Sequence, residues 1–395
     1  MKMLIKNSKV ISHSTNGYFN ILIEDHLIRK ITTNIPEADI VIDASNLITI
    51  PGIIDMHAHL REPGYEYKET LKTGLMAAVH GGVTTLGIMP NTNPSIDNLK
   101  IANNIKTRAQ AYNLARPIII PSLTKNRAGK ELNNIKLLIK NGYKFFSDDG
   151  NPIYDAKIMF ESLTILKKFN GIIINHCEDT RFKNTDLFES LMVARDVELS
   201  KYTGARVHIA HISTSNTIDL IKYAKSENIN ITCEVTFHHL LLTNREKDPL
   251  KKINPPLPDI QTQKKLIENL EHIDIIVSDH APHSFEEKNL EYENAPNGIS
   301  GLDVFFPALC SISKKYNIDL EKLIEKVTYQ PAKIFNLNNI GDIKEGYYAD
   351  IVLVDTNKTW DGKIFSKGKN LPYKQLHGKV ILTIVNGEIK YDGRK

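Results

Sequence analysis

Short runs in which apolar and polar residues alternate occupy both ends of this chain, while its middle repeats a strand-like run followed by a helix-like one. Lys2–Lys6, Tyr18–Glu24, Leu27–Thr32 and Asp39–Asp43 read as strands near the N-terminus, and Asp350–Asp355 with Val380–Gly387 repeat that texture near the C-terminus. Asn386-Gly387, set between Ile384-Val385 and Glu388-Ile389, predicts a hairpin turn, because both residue types tolerate the positive φ it requires. Between the ends, strands are predicted over Leu47–Ala58, Val83–Met89, Pro117–Ser122, Lys144–Ser147, Gly171–His176, Arg206–His211, Asn230–Phe237 and Asp274–Asp279. Helical spacing of apolar positions separates them, as in Lys68–Val79, Ile135–Asn141, Ala156–Lys168 and Leu187–Tyr202, with Gly81-Gly82 and Asn141-Gly142 as stops. About eight β-α repeats in roughly 290 residues predict an α/β fold, a (β/α)8 barrel; a doubly wound open sheet fits the same alternation.

A barrel carries its site at the C-terminal ends of its strands, and the chemistry-bearing residues of this chain gather there. His57 and His59 close the first predicted strand of the middle section. Side chains alternate across a strand, so both point to one face, and Arg61 continues on it. Asn91 follows the second strand, Asp148-Asp149-Gly150 ends the fourth, His176 the fifth and His211 the sixth. Asn254 lies beyond the seventh, and Asp279 and His283 end the eighth. His57, His59, Asp149, His176, His211 and Asp279 make up a two-metal set, since neutral imidazoles and carboxylates suit Zn²⁺ or a similar ion and leave positions open for water. Asp149 is placed to bridge two ions. Asp279 is placed to take a proton from metal-activated hydroxide and pass it to a leaving nitrogen. Arg61, a cation beside the imidazoles, would anchor a carboxylate or phosphate.

Composition narrows the class. The chain has 395 residues, 41% hydrophobic and 24% charged, which fits a globular enzyme with a sizeable core. Its net charge of +4 is too slight and scattered to indicate nucleic acid. Cys177, Cys233 and Cys310 are far apart, which argues for a reducing compartment and against a structural zinc finger. Met1–Ser8 lacks the apolar core of a signal peptide, and no apolar run is long enough for a bilayer; a cytoplasmic protein is expected.

Taken together, the motifs resemble one family. Asp-Met-His-Ala-His-Leu-Arg-Glu-Pro-Gly (Asp55–Gly64) and Met-Pro-Asn-Thr (Met89–Thr92) are similar to those of dihydroorotases, class I bacterial type, of the amidohydrolase superfamily. Asp148-Asp149-Gly150, His176-Cys177-Glu178, His211–Thr214, Asn254–Leu257 and Ser278–His283 continue the match in order. The resemblance implies a metal-dependent barrel over 51–340 and a small composite β-sandwich domain built from 1–50 and 341–395. It implies zinc-dependent, reversible hydrolysis of L-dihydroorotate to N-carbamoyl-L-aspartate in pyrimidine synthesis, with one or two Zn²⁺ and Asp279 as general acid/base. His57, His59 and Asp279 would hold the first ion, Asp149 would bridge, and His176 and His211 would hold the second. Arg61, Asn91 and His283 would bind the substrate carboxylate, and Asn254 with the backbone at Asn297-Gly298 would meet the ring. A homodimer and assembly with aspartate carbamoyltransferase are implied partners.

Alternatives stay open on three points. Lys144, in Gly142–Phe146, has the form of the run whose carboxylated lysine bridges metals in related cyclic amidases, although the following Asp-Asp-Gly favours Asp149. Asn297 stands where an aromatic is expected and Phe237 where a proline is usual. A sibling hydantoinase or allantoinase, or an inactive scaffold for aspartate carbamoyltransferase, are the competing functions. His208, His238, His239 and His280 read as structural, Cys177 as a buried thiol, Asp148 as a turn residue, and the charged Glu286–Asn294 as a lid or a surface loop.

Overall fold

The computed structural model describes residues 1–182 and 185–394. Strands from both chain ends join in one sheet: Lys2–Ile11 (β1), Asn16–Glu24 (β2), Leu27–Thr32 (β3), Ile40–Asp43 (β4) and Ile48–Pro51 (β5). The barrel strands follow: Ile53–Ala58 (β6), Val83–Ile88 (β7), Arg116–Ile119 (β8), Phe145–Phe146 (β9), Ile172–Asn175 (β10), Arg206–Ile209 (β11), Ile231–Thr236 (β12) and Ile275–Val277 (β13). Ile351–Thr359 (β14), His377–Val385 (β15) and Glu388–Asp392 (β16) return to the first sheet, whose order is β16-β15-β14-β5-β1-β2-β3 with β4 paired to β1. Ile28 of β3 and Ile384 of β15 lie far apart in that order yet share one core, so the sheet folds over itself. Asn386 and Gly387 take positive φ at the β15–β16 hairpin, as their sequence predicts.

Eight parallel strands make the barrel among the described residues. β6–β8 and β9–β13 are two hydrogen-bonded runs. One seam closes through the Ser147 N–H on the Pro121 carbonyl at 3.1 Å, the other through the His59 N–H on the His280 carbonyl at 2.8 Å. β6 and β7 are buried along their whole length, as expected of strands covered on both faces. Ile172, Ile174, Ile275 and Val277 join Phe335 in one apolar cluster, while the alternate Ile173 and Ile276 belong to the core shared with the outer helices. Among the described residues no helix is long and apolar enough to cross a membrane.

Two expectations change in detail. Leu47–Ala58, read as one strand, is two, because the chain passes at Gly52 from the chain-end sheet into the barrel. A side chain at Gly52 would collide with Thr84, so the crossing needs glycine. β6 ends at Ala58 as predicted, whereas the later barrel strands stop short of their predicted ends. His211 and Asp279 turn out of the ladder into positive φ, which swings their side chains inward.

Candidate active site

Every strand that supplies a predicted metal ligand delivers it to the same rim. β6 carries His57 and leads into His59; its register against β7 shifts between Asp55 and Ala58, a bulge that re-aims the strand. Asp149 follows β9, His176 follows β10, His211 follows β11 and Asp279 follows β13. All six are buried. Asp149 touches all four histidines: its Oδ1 lies 3.3 Å from His57 Nε2, 3.5 Å from His176 Nδ1 and 3.3 Å from His211 Nε2, and its Oδ2 lies 3.4 Å from His59 Nε2. Asp279 Oδ1 sits 3.1 Å from His59 Nε2 and 3.5 Å from His57 Nε2. His176 Nδ1 and His211 Nε2 are 2.9 Å apart.

These groups suit divalent cations. Metal–ligand bonds of about 2.0–2.2 Å place neighbouring ligand atoms of a tetrahedral site about 3.4 Å apart, which is the spacing found here. His57 Nδ1 donates to Glu234 Oε1 at 2.5 Å, which turns Nε2 into a lone-pair donor; that buried atom has no hydrogen-bond partner. Burial opposes protonation of His57, yet the carboxylates of Asp149, Glu234 and Asp279 raise its pKa well above the ordinary value. His176 behaves alike, pushed up to about 9 by Asp149 and Glu178 against the cost of burial. The carboxylate charge therefore calls for positive charge at the point where the imidazole nitrogens converge.

A cavity of about 190 Å³ opens beside the cluster, lined by His59, Arg61, Asn91, Asp149, Asn254 and Gly298, with Asn297 at its edge. Arg61 reaches it through a left-handed backbone turn (φ 60°) rather than by continuing the strand. Its Nε donates to the Pro282 carbonyl at 3.3 Å, and its two terminal amino groups have no protein partner among the described residues. An anion is what they lack.

The other expected substrate contacts are arranged differently. Asn91 Nδ2 donates one N–H to the Asp149 carbonyl at 2.8 Å, which leaves its second N–H and its buried Oδ1 without a protein partner among the described residues. His283 is absent from the cavity wall: its Nε2 donates to the Asn297 carbonyl at 2.8 Å and its Nδ1 faces Lys68 Nζ at 3.3 Å. Burial and the cations of Arg61 and Lys68 lower its pKa to about 3, so it is neutral and ties the rim together. Gly298 spends its N–H on the Lys252 carbonyl at 2.8 Å, and its carbonyl accepts from Lys288 Nζ at 2.9 Å. Lys288 thereby pins the stretch read as a lid. Asn254 Nδ2 donates to Glu178 Oε2 at 2.5 Å.

Lys144 lies at the wrong end of its strand to bridge metals. It is exposed, its carbonyl accepts from the Ile172 N–H at 2.9 Å at the start of β10, and it lines a different cavity with Lys106 and Phe335. Phe237 ends β12 one residue early and begins the short helix Phe237–Leu241. His208 Nε2 pairs with Glu234 Oε2 at 3.1 Å, His280 Nε2 with Glu69 at 3.2 Å, and Cys177 is buried; none joins the cluster. Asp148 accepts the N–H groups of Leu123 and Thr124, holding the turn before Asp149.

Two residues escaped the sequence reading. Glu234 is a carboxylate inside an apolar strand, and a buried charge there demands a partner; that was the available signal. Arg127 donates Nη2 to the Asp149 carbonyl at 2.8 Å, and nothing in its neighbourhood along the chain announces it. Among the described residues, Arg61, Arg127 and His211 are the residues other than Gly, Asn and Asp with positive φ, and all three stand at this rim. Such backbone costs of order 1–3 kcal/mol per residue and persists where the surroundings enforce it.

The amidohydrolase family model matches residues 48–390. A dihydroorotase of Aquifex aeolicus is 39% identical over 99% of both chains, and one of Thermoanaerobacter sp. is 39% identical over 99% of this chain and 97% of its own. A dihydroorotase of Staphylococcus aureus is 36% identical over 99% of this chain and all of its own. Among solved structures, the L-hydantoinase of Arthrobacter aurescens superposes with a TM-score of 0.90 at 23% identity, covering 99% of this chain and 96% of that one, a likeness of fold alone. With its cluster of histidines and aspartates at the barrel rim and relatives matched end to end, the chain belongs to the amidohydrolase family, on its dihydroorotase branch.

Proposed function

We propose that this protein is a dihydroorotase, which hydrolyses L-dihydroorotate reversibly to N-carbamoyl-L-aspartate in pyrimidine synthesis with one or two Zn²⁺ per subunit. The observation that carries the reading is the pairing of two features in one cavity: Asp149 in reach of four histidines, and the unpartnered end of Arg61 beside them. His57, His59 and Asp279 would hold one ion and His176 and His211 the other, with Asp149 within reach of both sets. A divalent cation such as Zn²⁺ in that place would supply Lewis-acid polarisation of the ring carbonyl and a water of lowered pKa.

The chain's own groups do the rest. Arg61 takes the substrate carboxylate, and Asn254 and the Asn297-Gly298 backbone border the ring. Asn91 offers the carboxylate its second amide N–H, and His283 acts through the Asn297 carbonyl that it holds. Asp279 Oδ accepts the proton of the attacking water and delivers it to the ring nitrogen as the amide bond breaks. The lining of the cavity falls wholly within 51–340, which supports taking that span as the catalytic barrel and 1–50 with 341–395 as a second domain. The same reading places the enzyme in the cytoplasm as a homodimer able to assemble with aspartate carbamoyltransferase.

The test is turnover of L-dihydroorotate by purified protein with and without a chelator, followed by loss of ring absorbance. Chelator-sensitive hydrolysis is expected. Silence toward dihydroorotate in zinc-replete protein, with turnover of hydantoin or allantoin instead, would transfer the site to a sibling cyclic amidase; silence toward all three would favour an inactive scaffold.

A further inference from the structure

Residues 360–376 connect β14 to β15 within the chain-end sheet, yet this strap crosses to the barrel rim. Asn370 is buried at its far point and grips both segments that wall the substrate cavity. Its Oδ1 accepts the His283 N–H at 3.0 Å, and its Nδ2 donates to the Gly298 carbonyl at 3.0 Å. Ser300 ties the same point twice, with its hydroxyl 2.7 Å from Asn370 Oδ1 and its N–H 3.1 Å from the Asn370 carbonyl. The strap is itself moored: the Lys367 N–H and Ser366 hydroxyl donate to Glu69, and the Phe365 and Ser366 N–H groups donate to Asp303. Gly368 lies so close to His283 that any side chain there would strike its backbone.

A carboxamide suits this position because one planar group supplies an acceptor to one segment and a donor to the other. We propose that Asn370 is a positioning residue for substrate: it sets the spacing between Ala281–His283 and Asn297-Gly298, so the chain-end strands help to decide affinity for the ring. The proposal rests on the dihydroorotate reading, since it concerns the wall against which that ring is placed. Asn370 itself does not line the cavity, and its effect runs through the two segments.

Asn370→Asp keeps the acceptor and loses the donor to Gly298. The expected result is a KM for L-dihydroorotate raised about tenfold, with kcat and zinc content near wild type; exposed Lys369→Ala is the neutral control. A merely structural role would lower the active fraction and the melting temperature at unchanged KM, and that result overturns the proposal. Hydrogen exchange on the wild-type protein tests it without any variant: dihydroorotate should protect 281–298 and 366–371 together, and protection of the first segment alone also overturns it. Wild-type turnover is measured first, because its absence removes the substrate reading, whereas turnover with an unaltered KM in N370D removes only the role of the strap.

Discussion

The two ends of the barrel are built from the same eight strands and have opposite chemistry. At the rim, four histidines and two aspartates are buried together beside half-buried Arg61, several of these residues in strained backbone, with ring nitrogens that lack hydrogen-bond partners. In the interior below, Ile172, Ile174, Ile275 and Val277 pack with Phe335 and leave nothing unpaired. The segment from Lys144 to Asp149 spans the contrast: Lys144 is exposed before β9, and Asp149 is buried after it. The apolar interior supplies stability, and the rim uses some of it to hold charged groups where a cation and a substrate complete them.

Substitutions at the two ends should therefore separate activity from stability. Asp279→Ala is expected to reduce kcat by about 10²–10⁴-fold or more, the span of general acid–base catalysis, with the melting temperature little changed. Near-normal kcat would remove Asp279 as the proton carrier. Ile174→Ala should do the reverse, costing about 2–5 kcal/mol of stability through a buried cavity, with KM unchanged. Denaturant unfolding beside steady-state kinetics checks both, and a loss of kcat at Ile174 without loss of stability would erase the distinction.

Smaller effects sharpen it. Arg61→Ala removes charge-assisted hydrogen bonds of about 1.5–3 kcal/mol and should raise KM for dihydroorotate by roughly 10–150-fold; an unchanged KM sinks the anchoring role. Glu234→Gln should weaken zinc binding by about 10–100-fold, because His57 loses the carboxylate that orients it. Zinc competition against a chromophoric chelator reads this directly, and wild-type affinity would make Glu234 a packing residue only. Lys144→Ala should change neither kcat nor zinc content. A mass increase of carboxylated lysine on the intact protein would reopen its case.

The β-α rhythm, the hairpin at Asn386-Gly387 and the six candidate ligands were legible in the sequence, since side-chain periodicity and strand ends are local properties. Glu234 was half legible, as an acid in an apolar strand whose partner could not be named. Arg127 was not, because its role depends on a loop that brings it to the Asp149 carbonyl. His283 and Asn91 were found as rim residues, but their hydrogen bonds were not foreseeable. A polar side chain chooses partners from everything near it in space, and sequence spacing does not list those neighbours.

By itself, then, the sequence determined which residues reach the rim: strand alternation and the order of motifs leave little freedom about that. Only the tertiary structure decided which atoms face the cavity, that Lys144 is exposed and lines a different cavity, and that a strap from the chain-end sheet grips segments of the cavity wall. Those outcomes depend on contacts between segments far apart in the chain, such as Asn370 with His283 across 87 residues and His57 with Glu234 across 177, and such contacts exist only once the barrel has closed.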